Sequence, residues 1–164
     1  MYKLRGDLSK AQHKTFKVDQ QQLQAAKKIF SVQDTLNVEL GKDQLLKDEN
    51  FKVEDFNNDF AYLLAHKAKF AASIKDKATL LDREVKAIAL VKAATTGDPD
   101  QTKIDQARDA INVVNVKAFK DKYLPKLDEA IKNLPKDQQA EQAKKQAAAG
   151  DPQQNLYCTG NCII

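Results

Sequence analysis

Cys158 and Cys162 are the residues of this chain best equipped for covalent chemistry. They stand four positions apart, close to the last residue, Ile164. The spacing is not the C-x-x-C redox pattern, and no second Cys or His pair stands nearby to complete a zinc site. A prenylation box needs Cys four from the end, where Asn161 stands. Thr159-Gly160-Asn161 can turn tightly, so a small disulfide loop is feasible in an oxidising compartment. A reduced, unstructured tail and an intermolecular linkage are the other two readings. Tyr157, Ile163 and Ile164 are apolar for a free tail. A closed loop packed on the body of the protein explains them, as does a partner that receives them.

The other reactive residue types are sparse or ordinary in placement. His13 and His66 are the two histidines, and neither belongs to a His-x-x-x-His or Glu-x-x-His pair, so the di-iron bundle signature is missing. His66 stands one or two helical turns after Tyr62 and Asp59, and a surface or satisfied-core role is the reading preferred for it. A Cys–His nucleophilic pair would require the tail to dock on His66. Asp55 with Asp59, and Asp105 with Asp109, share helix faces at a spacing of four, as general acid–base catalysis could use. Both pairs lie near helix starts, where the dipole accounts for acidic residues. The sequence contains no Gly-rich phosphate loop, no G-x-S-x-G and no EF-hand pattern. Arg5-Gly6-Asp7 matches the integrin tripeptide, but three residues match by chance. The expectation is therefore a protein with no catalytic residues, no metal ligands and no cofactor.

Charge narrows the partners. The net charge is +4, and residues 1–20 carry five basic against two acidic side chains, leaving about +1 for the rest. The body interleaves both signs, as in KDKATLLDREVK, which is a solvated mixed-charge surface rather than a nucleic-acid face. The first 20 residues alone could touch something anionic. No apolar run approaches the roughly 18 residues that span a membrane, and MYKLRGDLSK lacks an apolar leader core. A cytoplasmic protein and a mature secreted chain lacking its leader both fit.

Five Gly and four Pro among 164 residues, with much Ala, Lys, Gln, Asp and Leu, favour long helices. Residues 1–18 read as a basic, flexible arm of weak periodicity. Asp19 is a candidate N-cap, with Gln22 in the capping-box position. Leu23, Ala26, Ile29 and Val32 follow at helical spacing, Phe30 widens their stripe, and Gly41 is a plausible stop. Residues 42–52 read as a short helical turn and connector. From Glu54 the apolar residues recur at steps of three and four as far as Ile88. Residues 54–95 form either one helix of about 60 Å or two, with a break near Ser73–Thr79. Gly97, Asp98 and Pro99 mark the next boundary as C′, N-cap and first helical position. Pro125 predicts a kink or restart. Residues 136–164 read as a polar helical extension, with nothing larger than Ala to bury through residue 149, followed by the Cys-containing tail.

The fold expected is all-α: an antiparallel helical bundle of four to five helices over 19–135, with flexible termini and one helix of unusual length as an option. Phe56, Phe60, Leu63, Phe70, Ile74 and Leu81 are ordinary core on the plain reading and a partner or ligand face on the functional one. The leading functional expectation is a non-enzymatic binding or assembly protein: a scaffold, an adaptor or a secreted interaction factor. A carrier of a hydrophobic small ligand in the bundle core is the first alternative, and it requires an apolar cavity of about 300 Å³ or more. Weak binding of nucleic acid or an anionic surface through the N-terminal arm is the second.

Overall fold

The computed structural model describes the backbone of residues 2–98 and 100–148, and their side chains except at 2–8, 11 and 148. Among the described residues there are six helices and no strand. They are α1 (Tyr2–Glu39), α2 (Glu54–His66), α3 (Ala68–Thr95), α4 (Gln101–Val114), α5 (Lys117–Lys132) and α6 (Lys136–Ala148). The all-α expectation stands, but the count is six rather than four or five. The chain divides into two compact units, Met1–Lys86 and Ala87–Ile164, with the boundary inside α3.

In the first unit α1 and α2 pack against each other. They run antiparallel, since Lys28 of α1 pairs with Asp59 of α2 and Ala25 shares a groove with His66. Ala25, Val32 and Leu36 are the buried residues of α1, and Phe56 and Leu63 those of α2. Ala71, Ala78 and Leu81 extend the core along α3. The helix does not begin at Asp19. It starts at Tyr2, through the segment expected to be an arm. It also ends at Glu39 without needing Gly41 as its stop. Residues 42–52 form no helix. The chain instead folds back so that Leu40 bridges Leu46 in antiparallel fashion. Gly41 N–H donates to the Leu45 carbonyl (2.9 Å) and Gln44 N–H to the Gly41 carbonyl (3.0 Å). Glu84 of α3 anchors this turn: its buried carboxylate accepts the Leu46 N–H at 2.7 Å.

Residues 54–95 are two helices, but the break is at Lys67 and not near Ser73–Thr79. Lys67 leaves helical geometry (φ −139°, ψ 50°) while its N–H still donates to the Leu63 carbonyl. Ala71 N–H then donates to the Lys67 carbonyl at 3.0 Å, so α3 resumes at once.

In the second unit Gly97 has φ +84°, the left-handed terminator expected after α3. The N-cap of α4 is Asp100 rather than Asp98. Its side chain accepts the backbone N–H groups of Thr102 and Lys103. Pro99 lies outside the described residues. Helix α4 stops at Asn115, which adopts the left-handed conformation (φ 55°, ψ 28°) that Asn tolerates better than most residues. No break occurs at Pro125, which lies inside α5. The core here is Ile88, Val91, Ile104, Ala107, Ile111, Phe119, Tyr123, Leu127 and Leu134.

Candidate functional site

Two regions place polar or exposed side chains where packing alone does not account for them. The first is α1. Phe16, Leu23 and Phe30 are 61%, 58% and 72% exposed. Each is seven residues from the next, so they lie on nearly one line of the helix. Leu23 and Phe30 precede the buried Ala25 and Val32 by two positions, which is about 200° around a helix. The exposed stripe therefore backs the face that packs on α2. Leu23 and Phe30 do not join the inward stripe with Ile29 and Val32, as their spacing had suggested. Asp19, Lys27 and Asp34 border them with mixed charge.

Where α1 runs past the end of α2 there is an open groove of about 390 Å³. Val18, Gln21, Gln22, Tyr62, His66 and Lys67 contribute to its walls. Lys28 lies 2.5 Å from the Asp59 carboxylate and 5.3 Å from the ring centre of Tyr62, which lines the groove. Tyr62 and His66 stack with centroids 4.3 Å apart. Asp59 is thus engaged by Lys28, and the contact His66 makes is the Tyr62 ring. The groove offers amides, a phenol, an imidazole and an ammonium, which suit hydrogen bonding. Its walls hold no Ser, Thr or Cys that could serve as nucleophile. Its polar walls also differ from the enclosed apolar cavity that a carrier of hydrophobic ligands requires.

The second region lies in the second unit, where α6 docks through polar groups. Gln142 is fully buried and donates to Asp105 Oδ1 of α4 at 2.5 Å. Lys145 reaches the other Asp105 oxygen at 2.6 Å. Gln146 donates to Asp128 of α5 at 3.0 Å, and the buried Arg108 donates to the same oxygen at 3.2 Å. Gln139 donates to the Lys132 and Leu134 carbonyls, tying the start of α6 to the end of α5. Partial burial would raise the Asp105 carboxyl, but hydrogen bonds from Lys145 and Gln142, with the Lys145 and Arg108 charges, bring it below the usual value of 3.8. Lys145 is held above 10.5, first by its hydrogen bond to Asp105. This is a structural clamp: every carboxylate in it is committed to a donor.

Compared with models of known families, with curated proteins and with solved structures, the chain matches none.

Of the residues singled out by spacing, Phe56, Leu63 and Leu81 are buried and Phe60, Phe70 and Ile74 half-buried. Phe60 stacks on Phe56 with centroids 6.1 Å apart. These six lie within the first unit as core side chains and at its edge. Asp55 and Asp109 are exposed, while Asp59 is engaged by Lys28 and Asp105 by Gln142 and Lys145. His13 contacts the Ser9 carbonyl of its own helix. Cys158, Cys162, Tyr157, Ile163 and Ile164 lie outside the described residues. Among the described residues no cluster of three His, Cys, Asp or Glu side chains could hold a metal ion. Among the described residues no helix is long and apolar enough to cross a membrane. Sequence reasoning missed Glu84, Arg108 and Gln142, though each interrupts or replaces an apolar face at helical spacing.

Proposed function

We propose that this chain is a non-enzymatic binding and assembly protein that engages another protein through the exposed face of α1. The observation that supports it is the line Phe16, Leu23 and Phe30, three large apolar side chains left more than half exposed on one helix. Large apolar side chains repeated every seven residues on one helix face, about 10 Å apart, are the kind of anchors by which an amphipathic helix seats in a partner's groove. The mixed charge of Asp19, Lys27 and Asp34 beside them suits a protein surface better than an anionic membrane or nucleic acid, which would select an unbroken basic border.

A photo-crosslinking residue at position 23 of the full chain, followed by identification of the adduct and titration with the purified partner, tests this. Leu23→Glu with Phe30→Glu should weaken that binding by about tenfold or more and leave helicity unchanged. Binding of the double variant equal to that of the parent would overturn the reading.

A further inference from the structure

Helix α6 is held in the second unit without an apolar anchor of its own. From Lys136 to Ala148 it contains no apolar side chain larger than Ala. Gln142 is buried, Gln138, Gln139 and Gln146 are half-buried, and its other described side chains are exposed. Its neighbours differ. Helix α4 buries Ile104, Ile111 and Val114, and α5 buries Phe119, Leu124 and Leu127. Burial of large apolar groups is what fixes a helix in a core. What fixes α6 is a short row of hydrogen bonds, whose net worth is small because water offers the lifted helix equivalent partners.

The docked position also carries a cost at its centre. Gln142 Nε2 donates to Asp105, but Gln142 Oε1 is buried with no hydrogen-bond partner. Water satisfies that oxygen once α6 lifts, so the penalty falls on the docked form alone. The pair of Lys145 with Asp105 lies toward the surface, where it adds little. The start of α6 is tied differently. Gln139 donates to the Lys132 and Leu134 carbonyls, and the Leu134 side chain is buried at the junction with α5. That junction is the fixed end, and the stretch from Gln142 to Gln146 is the end that lets go.

We propose that α6 is a strap that opens on its own: it swings out from the Leu134–Pro135 junction while α4 and α5 keep their packing, and so releases the Asp105 and Asp128 carboxylates. Closed, the two Asp105 oxygens are taken by Gln142 and Lys145, and Asp128 Oδ1 by Gln146 and Arg108. Open, Asp105 loses both of these donors and Asp128 retains Arg108. The strap thus sets when the two carboxylates are offered to a basic or amide-bearing segment of another molecule, the donor types that α6 itself supplies. An element with few buried apolar groups opens at a lower free energy than the whole unit, and in this unit α6 is that element. The device lies in the second unit and does not depend on the α1 face proposed above.

Native-state hydrogen exchange of the full chain, in urea rising to about 1.5 M, measures the opening. The amides of Ala140 to Ala147 should exchange at least about a hundredfold faster than those of the buried stretches of α4 and α5, with little dependence on urea. Exchange of α6 and α4 with one opening free energy and one urea slope would overturn the proposal, because α6 would then unfold only with the rest of the unit. Gln142→Glu sets a second carboxylate against Asp105 and should release α6 altogether. In that variant the methyl NMR signals of Ile104, Ile111 and Leu127 should stay dispersed. Their collapse as α6 is lost, or an α6 still protected in the variant, would also overturn it.

Discussion

The first half of α1 and the whole of α6 are alike in composition and opposite in fate. Both are helix-prone, rich in Lys and Gln, and poor in large apolar residues facing a core. Yet Ser9 to Gln24 shows only exposed side chains where these are described, while α6 buries Gln142 completely and half-buries Gln139 and Gln146. The difference lies in what each helix meets. Helix α6 meets Asp105 and Asp128, two carboxylates that accept amide hydrogen bonds, and the free carbonyls at the end of α5. The first half of α1 runs past the end of α2 and meets none of these. A helix can be held by a row of glutamines, provided that every buried amide finds an acceptor.

The largest break in that comparison comes from removing the acceptor. Asp105→Ala takes away the partner of Gln142 and Lys145 together and leaves a buried amide without its bond, which costs about 2–3 kcal/mol. Helix α6 should then exchange its amide protons as fast as the first half of α1, which hydrogen exchange with mass spectrometry reads directly. Asp105→Asn should recover most of the protection, since Lys145 sits at the surface, where an ion pair adds little. Protection of α6 unaffected by Asp105→Ala would show that something other than the clamp holds it.

Much of this was legible in the chain and some was not, for physical reasons. Glu54 and Asp55 announced the start of α2, and Gly97 the end of α3, because dipole and backbone chemistry are local. The core of Phe56, Leu63 and Leu81 followed from steps of three and four. The breaks at Lys67 and Asn115 were hidden because neither residue is a strong helix breaker and tertiary packing sets the chain direction there. Pro125 misled in the opposite sense. Its helix runs on, with the Asp121 carbonyl deprived of the N–H that Pro125 lacks. The docking of α6 did leave a signal, since Gln139, Gln142 and Gln146 step by three and four. A reading that counts only apolar residues cannot detect it. The groove beside His66 was half-visible: Tyr62 precedes His66 by one turn, whereas the contribution of Gln21 and Gln22 depends on how α1 and α2 cross.

Acid should sharpen the contrast by acting on α6 while leaving the first half of α1 unchanged. The Asp105 carboxyl is held below 3.8 in the folded protein, while the unfolded chain takes the ordinary value. Its contribution is complete above about 4, where both states are ionised, and is lost as pH falls through the lowered folded value. Lys145, held above 10.5, keeps its part until pH rises past that point. Between these limits this pair should give the docking of α6 no dependence on pH. The side-chain amide signals of Gln142 should keep one position from pH about 9 to about 5 and shift as Asp105 takes up its proton below about 4. Movement already at pH 6 would place the controlling proton elsewhere.

The smallest effects belong to the two faces of α1 itself, and they test whether its exposed stripe belongs to the fold. Val32 is fully buried, and Val32→Ala should cost about 1–2 kcal/mol through lost burial and a small cavity. Leu23 and Phe30, two positions before buried residues on the same helix, should behave differently. Leu23→Gln and Phe30→Gln each remove a large apolar side chain that touches mostly water. Stability should change by no more than about 0.5 kcal/mol, with Gln slightly favoured over Phe for its helix propensity. Urea titration of the three variants, with equal slopes, separates the two outcomes. A loss at Phe30 as large as that at Val32 would mean that the side chain is covered in the isolated protein, and the stripe would then be part of the core rather than a face kept for a partner.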